Sequence, residues 1–144
     1  MRASEARRVV DEGELKLLLC GDVLLGRGVD RVLSYPVDPA IRETWQNVHD
    51  ARTFVTLAEC RNGPIPAKRT MSHVGGEALA EFDKITPEVR PINLETAATA
   101  RGAPCPRKGI HCRMSPGNME TLTRAGVDFV RSPTTTRSIG AESG

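Results

Sequence analysis

The chain reads as an α/β protein built on a parallel sheet, and three observations predict it. An apolar run, Leu15 to Cys20, is stopped by Gly21-Asp22 and followed by the small-residue turn Gly26-Arg27-Gly28. Two further apolar stretches, Val89 to Leu94 and Val127 to Val130, recur downstream. Helix-patterned segments lie between them. Short apolar runs bounded by turn residues mark buried strands, and their alternation with helices favours parallel strands joined by crossovers.

The elements follow in order. After the first strand, the turn Pro36-Val37-Asp38-Pro39 leads into a helix whose start is marked by Pro39. A longer amphipathic helix is expected from Asn47 to Cys60, where Val48, Ala51, Phe54, Val55 and Ala58 approach helical spacing; Asn62-Gly63-Pro64 ends it. Another helix covers Glu77 to Lys84, with Pro87 beyond its end. The second strand, Val89 to Leu94, ends at Glu95, and a long loop rich in Gly and Pro runs from Thr96 to Arg113. Ser115-Pro116 opens a last helix through Thr123, closed by Gly126, and the third strand starts at Val127. The remainder, RSPTTTRSIGAESG, has no periodicity and almost no apolar content, so it reads as disordered. The expected organisation is an N-terminal extension over residues 1–14, a folded domain over 15–130 and a tail over 131–144.

At 144 residues the chain suits one domain, with a core of Leu, Val, Ile and Ala because aromatic residues are only 3%. Twenty basic against 18 acidic residues leave a net charge of +2, too balanced to predict a nucleic-acid partner or an anionic membrane surface. The opening MRASEARRVVDEGE lacks the apolar stretch of a signal peptide, and no segment is long enough to span a bilayer; a cytoplasmic location is expected. Cys20, Cys60, Cys105 and Cys112 lack CxxC spacing, which gives no support to a zinc knuckle or a redox pair. Cys20 is expected to pack in the first strand. Cys105 and Cys112 flank a proline-rich loop containing His111, and an exposed loop histidine is the favoured reading there.

Asp22 and Glu95 each end a predicted parallel strand. Open α/β sheets place ligands at the carboxyl ends of their strands. Neighbouring strands would bring both carboxylates to one edge, and gathered oxygen ligands suit a divalent metal. The alternative is structural: a helix cap for Asp22, and a turn or ion-pair role for Glu95.

Several separated motifs, GDVLLGRGVDRVL, PIPAKR, PINLET and KGIHCRM, occur in one order. Together they resemble the bacterial capsule synthesis proteins of the CapA type, also called poly-γ-glutamate biosynthesis proteins, from about Leu15 to Val130. That family is similar to calcineurin-like metallophosphoesterases. The resemblance therefore implies a partial metallophosphoesterase-like sheet with flanking helices, truncated after the third predicted strand. It implies Asp22 as a metal ligand, and Glu95 with Asn93 as the second acidic motif. It also suggests Arg27, Lys108 and His111 as contacts for an anionic substrate, since guanidinium pairs well with phosphate and carboxylate. Leu24 stands where the phosphoesterases carry a histidine, which separates this chain from plain phosphatases.

Family members continue with an Asn-Asn-His motif and later histidines that complete the site. The only histidines here are His49, His73 and His111. One permitted codon set for Ser132 to Gly140 is TCG CCA ACA ACC ACG CGC TCG ATT GGG. Read two bases later, into the codon for Ala141, it encodes Ala-Asn-Asn-His-Ala-Leu-Asp-Trp-Gly. The expectation is a frameshift near Phe129 to Arg131. It leaves a CapA-type fragment with a partial divalent-metal site, inactive alone and poorly soluble. An anionic or peptide-like polymer precursor is the expected partner. A plain metallophosphoesterase fragment, or a non-catalytic module holding an anion at Gly26-Arg27-Gly28, remain the alternatives.

Overall fold

Apolar residues at alternate positions of Pro91–Leu94 explain the centre of the fold. Ile92 and Leu94 are buried while Pro91 and Asn93 face the other way. The computed structural model describes residues 13, 15–43, 47–66, 69–104 and 108–131. Within them, strand β1 (Cys20–Val23), strand β2 (Pro91–Leu94) and strand β5 (Phe129–Arg131) form a parallel sheet in the order β1-β2-β5. The crossovers carry helices α1 (Gly28–Val32), α2 (Arg52–Asn62), α3 (Ala78–Ile85) and α4 (Glu120–Arg124). Strands β3 (Ala97–Ala98) and β4 (Arg113–Met114) make a second, two-stranded parallel pair. The fold is α/β with a parallel sheet, as the alternating pattern requires.

One face of the sheet carries the core. Ile92 and Leu94 pack with Leu25, Met114 and Leu122, and Cys20, Val23 and Val130 join from the strands. Beside this cluster lies a buried polar hub. The Asp30 carboxylate, 1% exposed, accepts from the Ser115 and Val37 backbone N–H groups and from the Asn118 side-chain amide. Asn118 also donates to the Tyr35 carbonyl and accepts from the Tyr35 N–H. A buried carboxylate is tolerable only when its lone pairs are occupied, as here. The hub ties α1 to the 34–37 loop and to the 3-10 turn Pro116–Asn118.

Several boundaries differ from the sequence expectation, each for a local reason. No helix starts at Pro39. Ala40 instead bridges Asp50 in antiparallel fashion, and Ile41 N–H bonds the His49 carbonyl. That pairing also delays the next helix to Arg52, where the Asp50 carboxylate accepts the Arg52 N–H. Its end matches the expected stop, with Gly63 at φ 86°. The long loop after Thr96 contains β3 and β4, too short to leave a pattern in the sequence. Strand β1 begins only at Cys20, with an irregularity between Cys20 and Asp22, whereas Leu17 makes a single bridge to Val89. Asp22 thus lies within β1 rather than just past it. Arg131 belongs to β5; the rest of the expected tail, 132–144, lies outside the described residues, as does Cys105.

Candidate functional site

Register brings the two acidic motifs together. Asp22 is the Cα partner of Asn93 after an irregularity between Cys20 and Asp22, and Glu95 follows β2 with its N–H on the Val23 carbonyl. The Asn93 amide nitrogen donates to Asp22 Oδ1 at 2.6 Å and to Glu95 Oε1 at 3.0 Å. One amide therefore clamps two carboxylates at the carboxyl edge of the sheet, using both of its hydrogens. Leu25 N–H bonds the buried Thr96 hydroxyl, which fixes the loop after β1 against the loop after β2.

The donor set can be tested against a divalent cation. Two carboxylates and, if the Asn93 amide turns over, its carbonyl oxygen make three hard oxygen ligands. Hard cations of this kind take six or more. The described residues contain no group of three or more His, Cys, Asp or Glu placed to hold a metal. The chemistry of the donors fits such an ion, and their number fits part of its shell.

Arg27 has a different setting. Its backbone sits at φ 53°, ψ −123°, a region that glycine dominates. Neither flanking glycine is replaceable without movement, because a Cβ on Gly26 would meet the Arg113 carbonyl oxygen at 2.7 Å and one on Gly28 the Phe54 Cβ at 2.9 Å. The Gly-Arg-Gly turn is thus a packing device as well as a way to present Arg27. Strain at a polar residue persists only where its surroundings hold it. Here the holder is Glu43, whose fully buried side chain meets Arg27 Nη2 at 2.5 Å and also accepts the His111 backbone N–H at 2.9 Å. The Arg27 guanidinium lies 5.8 Å from the Phe54 ring centroid. Arg27 Nε and Glu43 Oε2 are buried without a hydrogen-bond partner among the described residues.

Arg27, Asp30, Arg31, Asp38, His111 and Arg113 line a shallow, open cleft. Arg31 donates to the Val37 carbonyl and Arg113 to the Asp38 carbonyl. Lys108 is exposed on the rim loop. Burial raises the Cys112 thiol above its ordinary pKa, and the Arg27 guanidinium opposes that rise. The structure thus joins Asp22, Asn93 and Glu95 in one cluster. It places Arg27 and His111 in another, both gathered by Glu43.

Sequence reasoning missed Glu43 and Asp30. Glu43 lay in the segment expected to be a helix starting at Pro39, with no motif around it. Asp30 offered one weak signal, an acidic residue inside the apolar GVDRVL.

Residues 16–132 match the bacterial capsule synthesis protein family described as PGA_cap. Two proteins named probable polyglutamine synthesis accessory protein, from Mycobacterium tuberculosis strains CDC 1551 / Oshkosh and ATCC 25618 / H37Rv, are similar to the chain. Each is 45% identical over 107 residues, which cover 74% of this chain and 28% of the relative. The chain therefore spans less than a third of the length of the curated relatives it matches. No solved structure matches it.

Proposed function

Because the chain belongs to the bacterial capsule synthesis family, we propose that it carries the Asp22–Asn93–Glu95 half of a divalent-metal site used in making an anionic capsule polymer. The supporting observation is the single Asn93 amide that holds both carboxylates at the strand ends. When bound, a divalent cation polarises an anionic oxygen or activates a water. Asp22 and Glu95 bind and orient that ion, and Asn93 keeps their spacing. The remaining ligands come from outside residues 16–132, so this chain alone holds metal weakly and turns over no substrate. The partner of the completed site is an anionic or peptide-like precursor rather than nucleic acid. No helix among the described residues is long and apolar enough to cross a membrane.

The test is a manganese titration of the full 144-residue chain followed by electron paramagnetic resonance. The reading expects dissociation constants of roughly 0.1–1 mM and loss of binding in Asp22→Ala. Binding unchanged in that variant would refute the site. Robust phosphoester hydrolysis by the chain would refute its incompleteness. DNA sequence beyond the codon for Arg131 tests the frameshift: an open shifted frame encoding Asn-Asn-His supports it, and its absence sinks it.

A second reading has its own observation. Arg31 and Arg113 reach only backbone carbonyls among the described contacts, beside the strained Arg27. This fits a non-catalytic module that binds an anion in the cleft. Such binding would survive Asp22→Ala and fail in Arg113→Ala.

A further inference from the structure

Each guanidinium on the cleft is anchored, and Arg27 is anchored differently from the other two. Arg31 and Arg113 each give one N–H to a backbone carbonyl, of Val37 and of Asp38. Arg27 instead gives Nη2 to the fully buried side chain of Glu43 at 2.5 Å. Arg27 Nε lies on the same edge of the planar group as Nη2, and it is buried too. The Phe54 ring, 5.8 Å away at its centroid, lies against one face. An edge and a face are thus taken, so the Nη1 end is what the 26% exposed side chain brings to the cleft it lines. Glu43 also fixes the facing wall, because its Oε1 accepts the His111 N–H at 2.9 Å. Desolvation offsets much of the attraction within a buried ion pair, so fixed geometry is a better account of this one than added stability.

We propose that Glu43 is the positioning residue of an oxyanion site in this cleft. It holds Arg27 so that the Nη1 end converges with Arg31 and Arg113 on one compact anion of phosphate size. This rests on the second reading above, that the cleft binds an anion. A guanidinium carries five N–H donors, and Arg31 and Arg113 each spend one among the described contacts, so both keep donors for a ligand. Three guanidiniums share the lining with two carboxylates. Asp30 is taken up by the Val37 and Ser115 N–H groups and the Asn118 amide, and Asp38 accepts the Ala40 N–H. Donors arriving from the start of α1, its last turn and β4 suit a tetrahedral anion, which offers an oxygen to each wall.

The experiment is titration of the full chain with inorganic phosphate at constant ionic strength, read by NMR of the arginine Cζ signals. Charge alone predicts that Glu43→Gln strengthens binding, because it removes a negative charge beside the anion. Positioning predicts the opposite sign, a weakening of ~10-fold. Arg27→Lys keeps a charge opposite Glu43 but loses the planar fork, and it should weaken binding to a similar degree. Adding Glu43→Gln to Arg27→Lys should then change little, since Glu43 acts through Arg27. In the unaltered chain, phosphate should shift the Cζ signals of Arg27, Arg31 and Arg113 together, a result that depends on no variant folding. The role of Glu43 is overturned by equal or tighter binding in Glu43→Gln, by full additivity in the double variant, or by an Arg27 signal that stays still while Arg31 and Arg113 move. Absence of phosphate binding, or binding indifferent to Arg113→Ala, removes the cleft reading itself and the role of Glu43 with it.

Discussion

The two faces of the sheet are built from the same strands yet differ in every physical respect. On the inner face, Ile92, Leu94 and Met114 are buried, and the Asp30 hub fills its polar valences with Val37, Ser115 and Asn118. On the outer face, the exposed Leu17, Leu19 and Phe129 make an apolar strip that ends in a clamped carboxylate pair, and nothing among the described residues seals it. The difference teaches that the buried packing and the carboxylate pair are housed on opposite faces of one sheet. The inner face holds these residues together, and the outer face presents the acidic pair at its carboxyl edge.

The sharpest way to break the comparison is Asp30→Ala. It leaves two backbone N–H groups and the Asn118 amide without their acceptor in a buried site. Urea denaturation should show a loss on the order of 3–5 kcal/mol. Next comes a pair of leucines at facing ends of the comparison. Leu94→Ala opens a cavity in the core and should cost about 2–4 kcal/mol, whereas Leu19→Ala should stay within about 0.5 kcal/mol in the same assay. Equal losses at the two positions would erase the distinction between the faces.

Two finer predictions concern residues away from the sheet. Burial raises the Cys112 thiol above its ordinary pKa, so at neutral pH it should alkylate more slowly than the exposed Cys60, as read by peptide mass spectrometry. The smallest effect is at the start of α2. Hydrogen bonds from the Arg52 side chain and backbone pull the Asp50 carboxyl from 3.8 down to about 2. Because the folded value is the lower one, its contribution is present in full above the unfolded value near 3.8 and fades as pH falls through about 2. An NMR titration of Asp50 that gives an ordinary carboxylate value would show that the contact with Arg52 does not persist in solution.

Much of this was legible in the residues. The apolar runs ending in Asp22 and Glu95 placed both carboxylates at one sheet edge, since parallel neighbours with similar lengths end together. The clamp by Asn93 depended on register, which a strand irregularity after Cys20 shifts and no pattern announces. Glu43 was hidden for another reason: its partner Arg27 lies 16 positions away and meets it through a loop, so only tertiary contact reveals the pair. The bare face was concealed by its composition. A run such as LKLLLC looks like a strand buried on both sides, and the same pattern serves a strand with Leu15, Leu17 and Leu19 exposed.

The most direct test of that contrast is methyl NMR of the full chain with a soluble paramagnetic probe. Two classes of leucine are predicted: Leu15, Leu17 and Leu19 broaden strongly, whereas Leu25, Leu94 and Leu122 keep their signals. Equal protection of Leu19 and Leu94 in the dilute, isolated chain would contradict the account.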